Sequence, residues 1–180
     1  MNNDLSPVQD RLSDRELNDL YERGHRSTCT EMSRPTLIEL SGLSIDDSKL
    51  IFGSAPYKQS VPWNPIQKSR LIESFLLNIP VVPVVLFELN VSSYEIVDGE
   101  QRIMAIVDFF ANNFQLEGME SLVELNGMNY NESPRRTRNS LNERRLQATI
   151  ILINPDSEFD PEVVKQITYK RLNDRRILSC

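Results

Sequence analysis

The stretch YEIVDGEQRIMAIVDFF, residues 94–110, joins an extended segment to a helix through the pair Asp98-Gly99. Four residues with strand character precede this pair, and helical spacing of apolar residues begins directly after it. We expect the helix to cover residues 99–112. Upstream, the apolar segment 83–88 and the polar turn 90–93 predict an antiparallel hairpin with residues 94–97.

The rest of the chain mixes further helices with further strands. Asn64-Pro65-Ile66-Gln67 combines a cap residue, a proline at the first helical position and a glutamine placed for a capping box, so a helix begins there and ends before Pro80. Asp160-Pro161-Glu162 gives the same signal for a last helix that ends near residue 173. Other segments predict strands at 49–52 and 147–153, short strands and turns within 114–128, a basic helix at 134–145, and either a helix or a strand at 36–43. This mixture predicts an α+β fold.

Polarity divides the chain into three parts. Residues 1–34 are polar, and we expect a loose arm with one short helix. Residues 35–173 carry the apolar patterns and form one compact domain, which is the usual size for a single core. Residues 174–180 form a C-terminal tail. One interpretation of this short tail is that the chain is truncated there.

Composition excludes several classes of function. The chain has 180 residues and a net charge of 20 − 26 = −6, which argues against binding DNA or membranes through the whole surface. Since no apolar run approaches the ~18 residues of a membrane helix, we expect a cytoplasmic protein without membrane contact. His25 is the only histidine, so a catalytic site built on two histidines is excluded.

The turn at Asp98-Gly99 has two interpretations that its own residues leave open. In the first, Asp98 caps the helix and Gln101, three residues later, completes a capping box. In the second, Gly99 admits a ligand to the free N–H groups of the helix start, and Arg102 binds a phosphate. Because Asp98 and Glu100 add negative charge, a nucleotide there would need Mg²⁺ between acid and phosphate, with Asp98 as the metal ligand.

Three motifs in order make the chain similar to the GmrSD-type N-terminal domain family, which is related to the ParB and sulfiredoxin fold. The family hallmark is D-G-Q-Q-R between a strand and a helix. Its upstream helix carries Q-x-S-R-L-I-E-S before an I-P-x-P-P strand entry, and its late helix ends in E-R-L-N. The matching residues here are Trp63, Gln67, Ser69 to Ser74, Ile79-Pro80, Pro83, Asp98, Gly99, Gln101, Arg102 and Arg171 to Asn173.

The chain also departs from the family pattern. Lys58-Gln59 stands where the family usually has glutamine-arginine before the tryptophan. Glu100 replaces the first glutamine of the hallmark, which makes the turn similar to the G-E-R-R turn of ParB-type proteins. After the late helix, Asp174-Arg175-Arg176 stands in place of the family's threonine-glycine-glycine loop.

The resemblance implies a small mixed sheet with flanking helices over residues 35–173. It also implies a regulatory domain of a modification-dependent restriction or phage-defence system that binds and hydrolyses nucleoside triphosphates with Mg²⁺. The nuclease would lie on a separate HNH-type domain or partner chain, so we do not expect this chain to cut DNA alone. The alternative is a non-hydrolysing ParB-like nucleotide switch or a module that binds DNA or protein, and the sequence leaves open whether the chain is an enzyme.

The resemblance assigns catalytic and binding roles to residues of the turn and of two upstream segments. Catalysis is assigned to Asp98, Gln101 and Arg102, with Asp98 at the metal; nucleotide binding is assigned to Gly99, Glu100, Arg102, Lys58, Gln59 and Gln67. For Gln67 the capping role is at least as good an interpretation as a ligand role. Trp63 favours a core anchor over a platform for base stacking.

The segment RRTRNSLNERR, residues 135–145, has five arginines and one glutamate. It is the best candidate for contact with DNA or RNA in this acidic chain. The arginines are Arg135, Arg136, Arg138, Arg144 and Arg145. A solvated helix face is the alternative, and the absence of interleaved aromatic residues favours it slightly.

Overall fold

The computed structural model describes residues 13–45, 49–51 and 61–174, with the side chains of residues 25, 26 and 43–45 left out. The described part contains six α-helices, five strands and one 3₁₀ turn, Val123–Leu125. The helices are α1 Asp14–Ser27, α2 Leu37–Ile45, α3 Pro65–Leu76, α4 Glu100–Phe110, α5 Arg135–Glu143 and α6 Pro161–Asn173. The strands are β1 Thr28–Ser33, β2 Leu50–Ile51, β3 Val84–Asn90, β4 Ser93–Asp98 and β5 Ala148–Ile153. None of the described helices is long and apolar enough to cross a bilayer.

The five strands form one mixed sheet in the order β1-β5-β3-β4-β2. The predicted hairpin of β3 and β4 is antiparallel, and β1 is also antiparallel to β5. The pairs β3–β5 and β2–β4 are parallel. The predicted α+β class, a small mixed sheet with flanking helices, is therefore confirmed. Its relation to the ParB and sulfiredoxin fold stays a prediction.

Successive residues of β3 point to opposite faces of the sheet, and each face has its own apolar cluster. Val84 and Leu86 belong to the main core, which the strands share with α2 to α5. Val85 and Phe87 face the other way and pack in a smaller cluster with residues of α6. Helix α6 thus packs on the second face of the sheet, where it contacts β4.

A buried ion pair fixes α6 to β4. Lys165 of α6 is 3% exposed, and its Nζ donates a 2.5 Å hydrogen bond to Oε2 of Glu95. The same ammonium group pairs with Glu162 and lies 5.3 Å from the ring centre of Phe87. Burial lowers the pKa of Lys165, but its bonds to Glu162 and Glu95 outweigh burial and place that pKa above its ordinary value. The lysine is therefore charged and serves as an anchor.

Two predictions of secondary structure are wrong. Residues 28–33, assigned to a loose arm, form β1 at the edge of the sheet, whereas the helix expected in the same arm is present as α1. Strand β1 exposes its four central residues, so it lacks the alternating apolar pattern that marks a strand in sequence. Residues 114–128 contain turns and the 3₁₀ turn but no strand. The ambiguous segment 36–43 lies mostly in α2, and the boundaries of the three predicted parts stay predictions.

The capping box predicted at the start of α3 is confirmed and gives a first testable expectation. Asn64 Oδ1 accepts from the backbone N–H of Gln67 at 2.9 Å, and Gln67 Oε1 accepts from that of Asn64 at 3.0 Å. We expect Asn64→Ala to lower the free energy of unfolding by about 1 kcal/mol, measured by urea denaturation. Asn64→Asp keeps an accepting oxygen and is the control, so an equal loss in both variants would contradict a role for the cap.

Candidate functional site

Residues 98–102, which carry the family hallmark and are called the signature below, lie where β4 ends and α4 begins. The geometry of this turn requires glycine. Gly99 has φ +95°, in the left-handed region that L side chains rarely adopt. A Cβ at this position would stand 2.5 Å from Val84 Cγ1 and 2.9 Å from Arg102 Nη2. The absence of a side chain therefore lets β3, the turn and Arg102 approach one another closely.

No described side chain caps α4, so the interpretation of Asp98 and Gln101 as a capping box is wrong. The N-cap residue is Gly99, while Asp98 is the last residue of β4. Asp98 Oδ2 accepts from Arg102 Nη2 at 2.8 Å, and Oδ1 accepts from Asn173 Nδ2 at 3.2 Å. Gln101 Oε1 accepts from the backbone N–H of Trp63 at 2.9 Å. The side chains expected to cap the helix bind other elements instead, and no side chain in the described part of the protein accepts from the helix start.

Arg102, in the first turn of α4, lies beside the start of β3 and the end of β4, with its side chain 18% exposed. Its Nη2 group donates to Asp98 and, at 3.3 Å, to the backbone oxygen of Pro83. Among the described residues, its buried Nε has no hydrogen-bond partner and its Nη1 makes no hydrogen bond. Part of the guanidinium therefore retains donor capacity beside the uncapped start of α4, where the helix dipole also favours an anion.

The upstream loop reaches the signature through Trp63. Its backbone donates to Gln101, and its side chain packs against the main core, which agrees with the expected core anchor. Gln67, one of the residues assigned to the nucleotide, uses its side-chain oxygen in the cap of α3. Lys58 and Gln59 lie outside the described residues, so their predicted role stays a prediction.

The late motif supplies a residue to the site that the sequence interpretation missed. Asn173, at the end of α6, donates from Nδ2 to Asp98 Oδ1 and also, at 2.9 Å, to the backbone oxygen of Tyr169. Arg171 of the same motif is exposed. The R-L-N sequence was the available signal, but only the structure shows that its asparagine contacts the signature.

The S-R-L-I-E-S motif of α3 organises a loop. Glu73 is 6% exposed, and its carboxylate accepts from the backbone N–H groups of residues 120, 121 and 122 at 3.1, 2.8 and 2.9 Å. Ser69 Oγ accepts from the N–H of Glu117 at 2.8 Å. Burial raises the pKa of Glu73, but the three backbone donors outweigh it and leave that pKa below its ordinary value. These contacts explain the motif without a ligand.

Three of the five arginines assigned to nucleic acid bind the protein itself. Arg138 donates to the backbone oxygens of residues 131 and 133, Arg144 to Asn78 and the oxygen of residue 76, and Arg145 to the oxygen of residue 34. Arg135 and Arg136 are exposed and make no hydrogen bond to a described residue. The predicted nucleic-acid contact therefore depends mainly on these two arginines.

The donor set at the signature limits which metal ion could bind. Among the described residues no group of three His, Cys, Asp or Glu side chains could hold a metal ion. Asp98 offers one carboxylate that is 22% exposed and already accepts two hydrogen bonds. Mg²⁺ is often held by one or two carboxylates together with phosphates and water. The residues thus fit Mg²⁺ that arrives with a phosphate ligand, and they do not fit a metal held by the protein alone.

Comparison with known protein families gives a match over most of the chain. The model of a family described as GmrSD restriction endonuclease, N-terminal domain, matches residues 45–178. The matched stretch includes the signature turn, α3 and the whole of α6. No curated protein and no solved structure matches the chain.

Proposed function

We propose a function for this chain, which belongs to the GmrSD restriction endonuclease N-terminal domain family. It is a regulatory domain of a restriction or phage-defence system, and the domain binds nucleoside triphosphates. The proposed site is the turn between β4 and α4. We propose further that the domain hydrolyses the triphosphate with Mg²⁺.

One observation carries the proposal: the uncapped start of α4 lies beside Arg102. The first N–H groups of a helix lack intrahelical partners, and no described side chain accepts from those of Glu100 and Gln101. Gly99 lets the turn pack closely against Val84 and Arg102, which places the guanidinium beside this backbone, and Arg102 keeps donors that no described residue uses. Backbone N–H groups, a helix dipole and a guanidinium together favour a phosphate.

The roles of the chain's own residues follow from these contacts. Arg102 and the amides near Gly99 and Glu100 would hold the β- and γ-phosphates. Gln101 uses its oxygen on Trp63, so its Nε2 group remains to orient the attacking water or a phosphate oxygen. Asp98 would hold Mg²⁺ or orient that water. The metal ion supplies charge neutralisation, and positioning with electrostatic stabilisation does most of the work in phosphoryl transfer.

The remaining sequence assignments enter the proposal as contacts around this site. Lys58 and Gln59 would close the pocket from the upstream loop, and Gln67 would contribute through its amide group. We propose that a nuclease domain, on a partner chain or elsewhere in the system, performs the cleavage that the family description names. Arg135 and Arg136 would supply the DNA contact.

Thermal melting with Mg²⁺ and each of ATP, GTP, CTP and UTP tests the site. At 100 times its dissociation constant, a ligand stabilises the folded protein by about 2.7 kcal/mol. We expect one nucleotide to raise the melting temperature and Arg102→Lys to remove that shift, because an ammonium group cannot reproduce the geometry of the guanidinium. Arg70→Lys changes an arginine in an exposed ion pair with Glu120 and is the matched control. The absence of a shift with all four nucleotides would contradict the proposal.

A non-hydrolysing nucleotide switch is the second candidate. Glu100 favours it, because a second acid at the turn opposes the build-up of negative charge during phosphoryl transfer. Release of inorganic phosphate separates the two candidates. We expect release with the nucleotide that shifts melting, whereas a melting shift without phosphate release would leave the switch as the function.

A further inference from the structure

We propose that Asn173 is a positioning residue that couples the nucleotide site to the last turn of α6, and this inference rests on the proposed function. Nothing in the family match assigns a role to this asparagine. Its side chain makes a hydrogen bond between the late motif and the signature, two segments 75 residues apart in sequence.

The side-chain amide of Asn173 makes two hydrogen bonds with different elements. One goes to Oδ1 of Asp98 at 3.2 Å, and the other goes to the backbone oxygen of Tyr169 at 2.9 Å. The second bond goes back to a carbonyl one turn earlier in α6 and holds the amide at the helix end. The amide therefore ties the helix end directly to the carboxylate that neutralises Arg102.

The two ends of α6 are attached to β4 with different strength. Towards its N-terminus the buried Lys165 pairs with Glu95, and this contact does not involve the signature. In the last turn, residues 170–173 are all exposed. An exposed helix end opens at little free-energy cost, so one hydrogen bond there has a measurable effect on local opening.

A bound triphosphate would change the partner of this amide. A phosphate competes with Asp98 for the guanidinium of Arg102, because each forms charge-assisted hydrogen bonds with it. Asp98 would also hold the Mg²⁺ that accompanies the nucleotide, and its carboxylate would then be less available to Asn173. Asn173 then loses its acceptor, and the last turn of α6 opens more often while the Lys165 contact stays in place.

Hydrogen exchange of the backbone amides of residues 171–174 measures this coupling. The ligand is the nucleotide that raises the melting temperature, added together with Mg²⁺. We expect these amides to exchange roughly threefold to tenfold faster when it is bound, because the helix end has then lost one hydrogen bond. In Asn173→Ala we expect fast exchange already without nucleotide, and no further change at a nucleotide concentration that saturates the variant in the melting assay. Lys170→Ala alters an exposed residue of the same turn and should respond as the unmodified protein does.

The outcomes separate the coupling from the function on which it rests. No melting shift with any nucleotide overturns both. A melting shift with unchanged exchange at residues 171–174 overturns the coupling and leaves the nucleotide site. A response in Asn173→Ala equal to that of the unmodified protein also overturns the coupling, because a merely structural asparagine would leave the nucleotide response intact.

Discussion

Gly99→Ala should lower the free energy of unfolding by about 3 kcal/mol and abolish the nucleotide-induced rise in melting temperature. Left-handed backbone costs an L residue roughly 1–2 kcal/mol, and overpacking a filled site costs typically 1–3 kcal/mol. Val84 is fully buried, so its methyl group, 2.5 Å from the new Cβ, has little space into which it can move. Relief of the clash must therefore displace the turn and with it Arg102.

Two other glycines separate the contributions to this loss. Gly127 has φ +81° with nothing within 4 Å of a Cβ, so Gly127→Ala measures backbone strain without a clash. Gly42 lies in α2 with nothing within 4 Å and without a positive φ, so its alanine variant should be neutral or stabilising. Urea denaturation of the three variants gives the comparison. Equal losses in Gly99→Ala and Gly127→Ala would show that the close approach of Val84 is not what requires glycine.

The position of the candidate site was predictable from sequence, but its internal bonding was not. The strand, the D-G pair and the helix are local patterns, and all three appear where the sequence places them. Whether Asp98 caps α4 depends on which residue occupies the N-cap. Gly99 adopts the left-handed conformation and takes that position, and Asp98 stays in β4 within reach of Arg102. A spacing rule cannot distinguish these arrangements, because both satisfy the same short sequence.

Contacts between distant segments account for the features that the sequence did not predict. Strand β1 forms because β5, which follows more than a hundred residues later, offers it an edge. The turns within 114–128 depend on Glu73, and the link from α6 to the signature depends on Asn173. Each of these residues is ordinary in its local sequence. Their partners come from tertiary packing, which local propensity does not encode.

The second large effect is expected at Glu73, where Glu73→Gln should lower the free energy of unfolding by about 3 kcal/mol. Three backbone N–H groups converge on a carboxylate that can accept all of them. Glutamine keeps one accepting oxygen and turns an N–H₂ group towards a donor, so at least one buried N–H loses its partner. A buried unsatisfied donor costs about 1–3 kcal/mol, and loss of the charge weakens the remaining bonds.

The pH dependence distinguishes this mechanism from simple misfit of the glutamine. The pKa of Glu73 in the folded protein lies below its ordinary value of 4.5, so the carboxylate contributes stability above that pH and loses the contribution as the pH falls through the folded pKa. The difference in unfolding free energy between the unmodified protein and Glu73→Gln should therefore be constant near neutral pH and shrink in acid. Glu120→Gln alters an exposed carboxylate of the same loop, whose pair with Arg70 contributes at most about 1 kcal/mol. A difference for Glu73→Gln that persists unchanged in acid would mean that shape, and not charge, holds the loop.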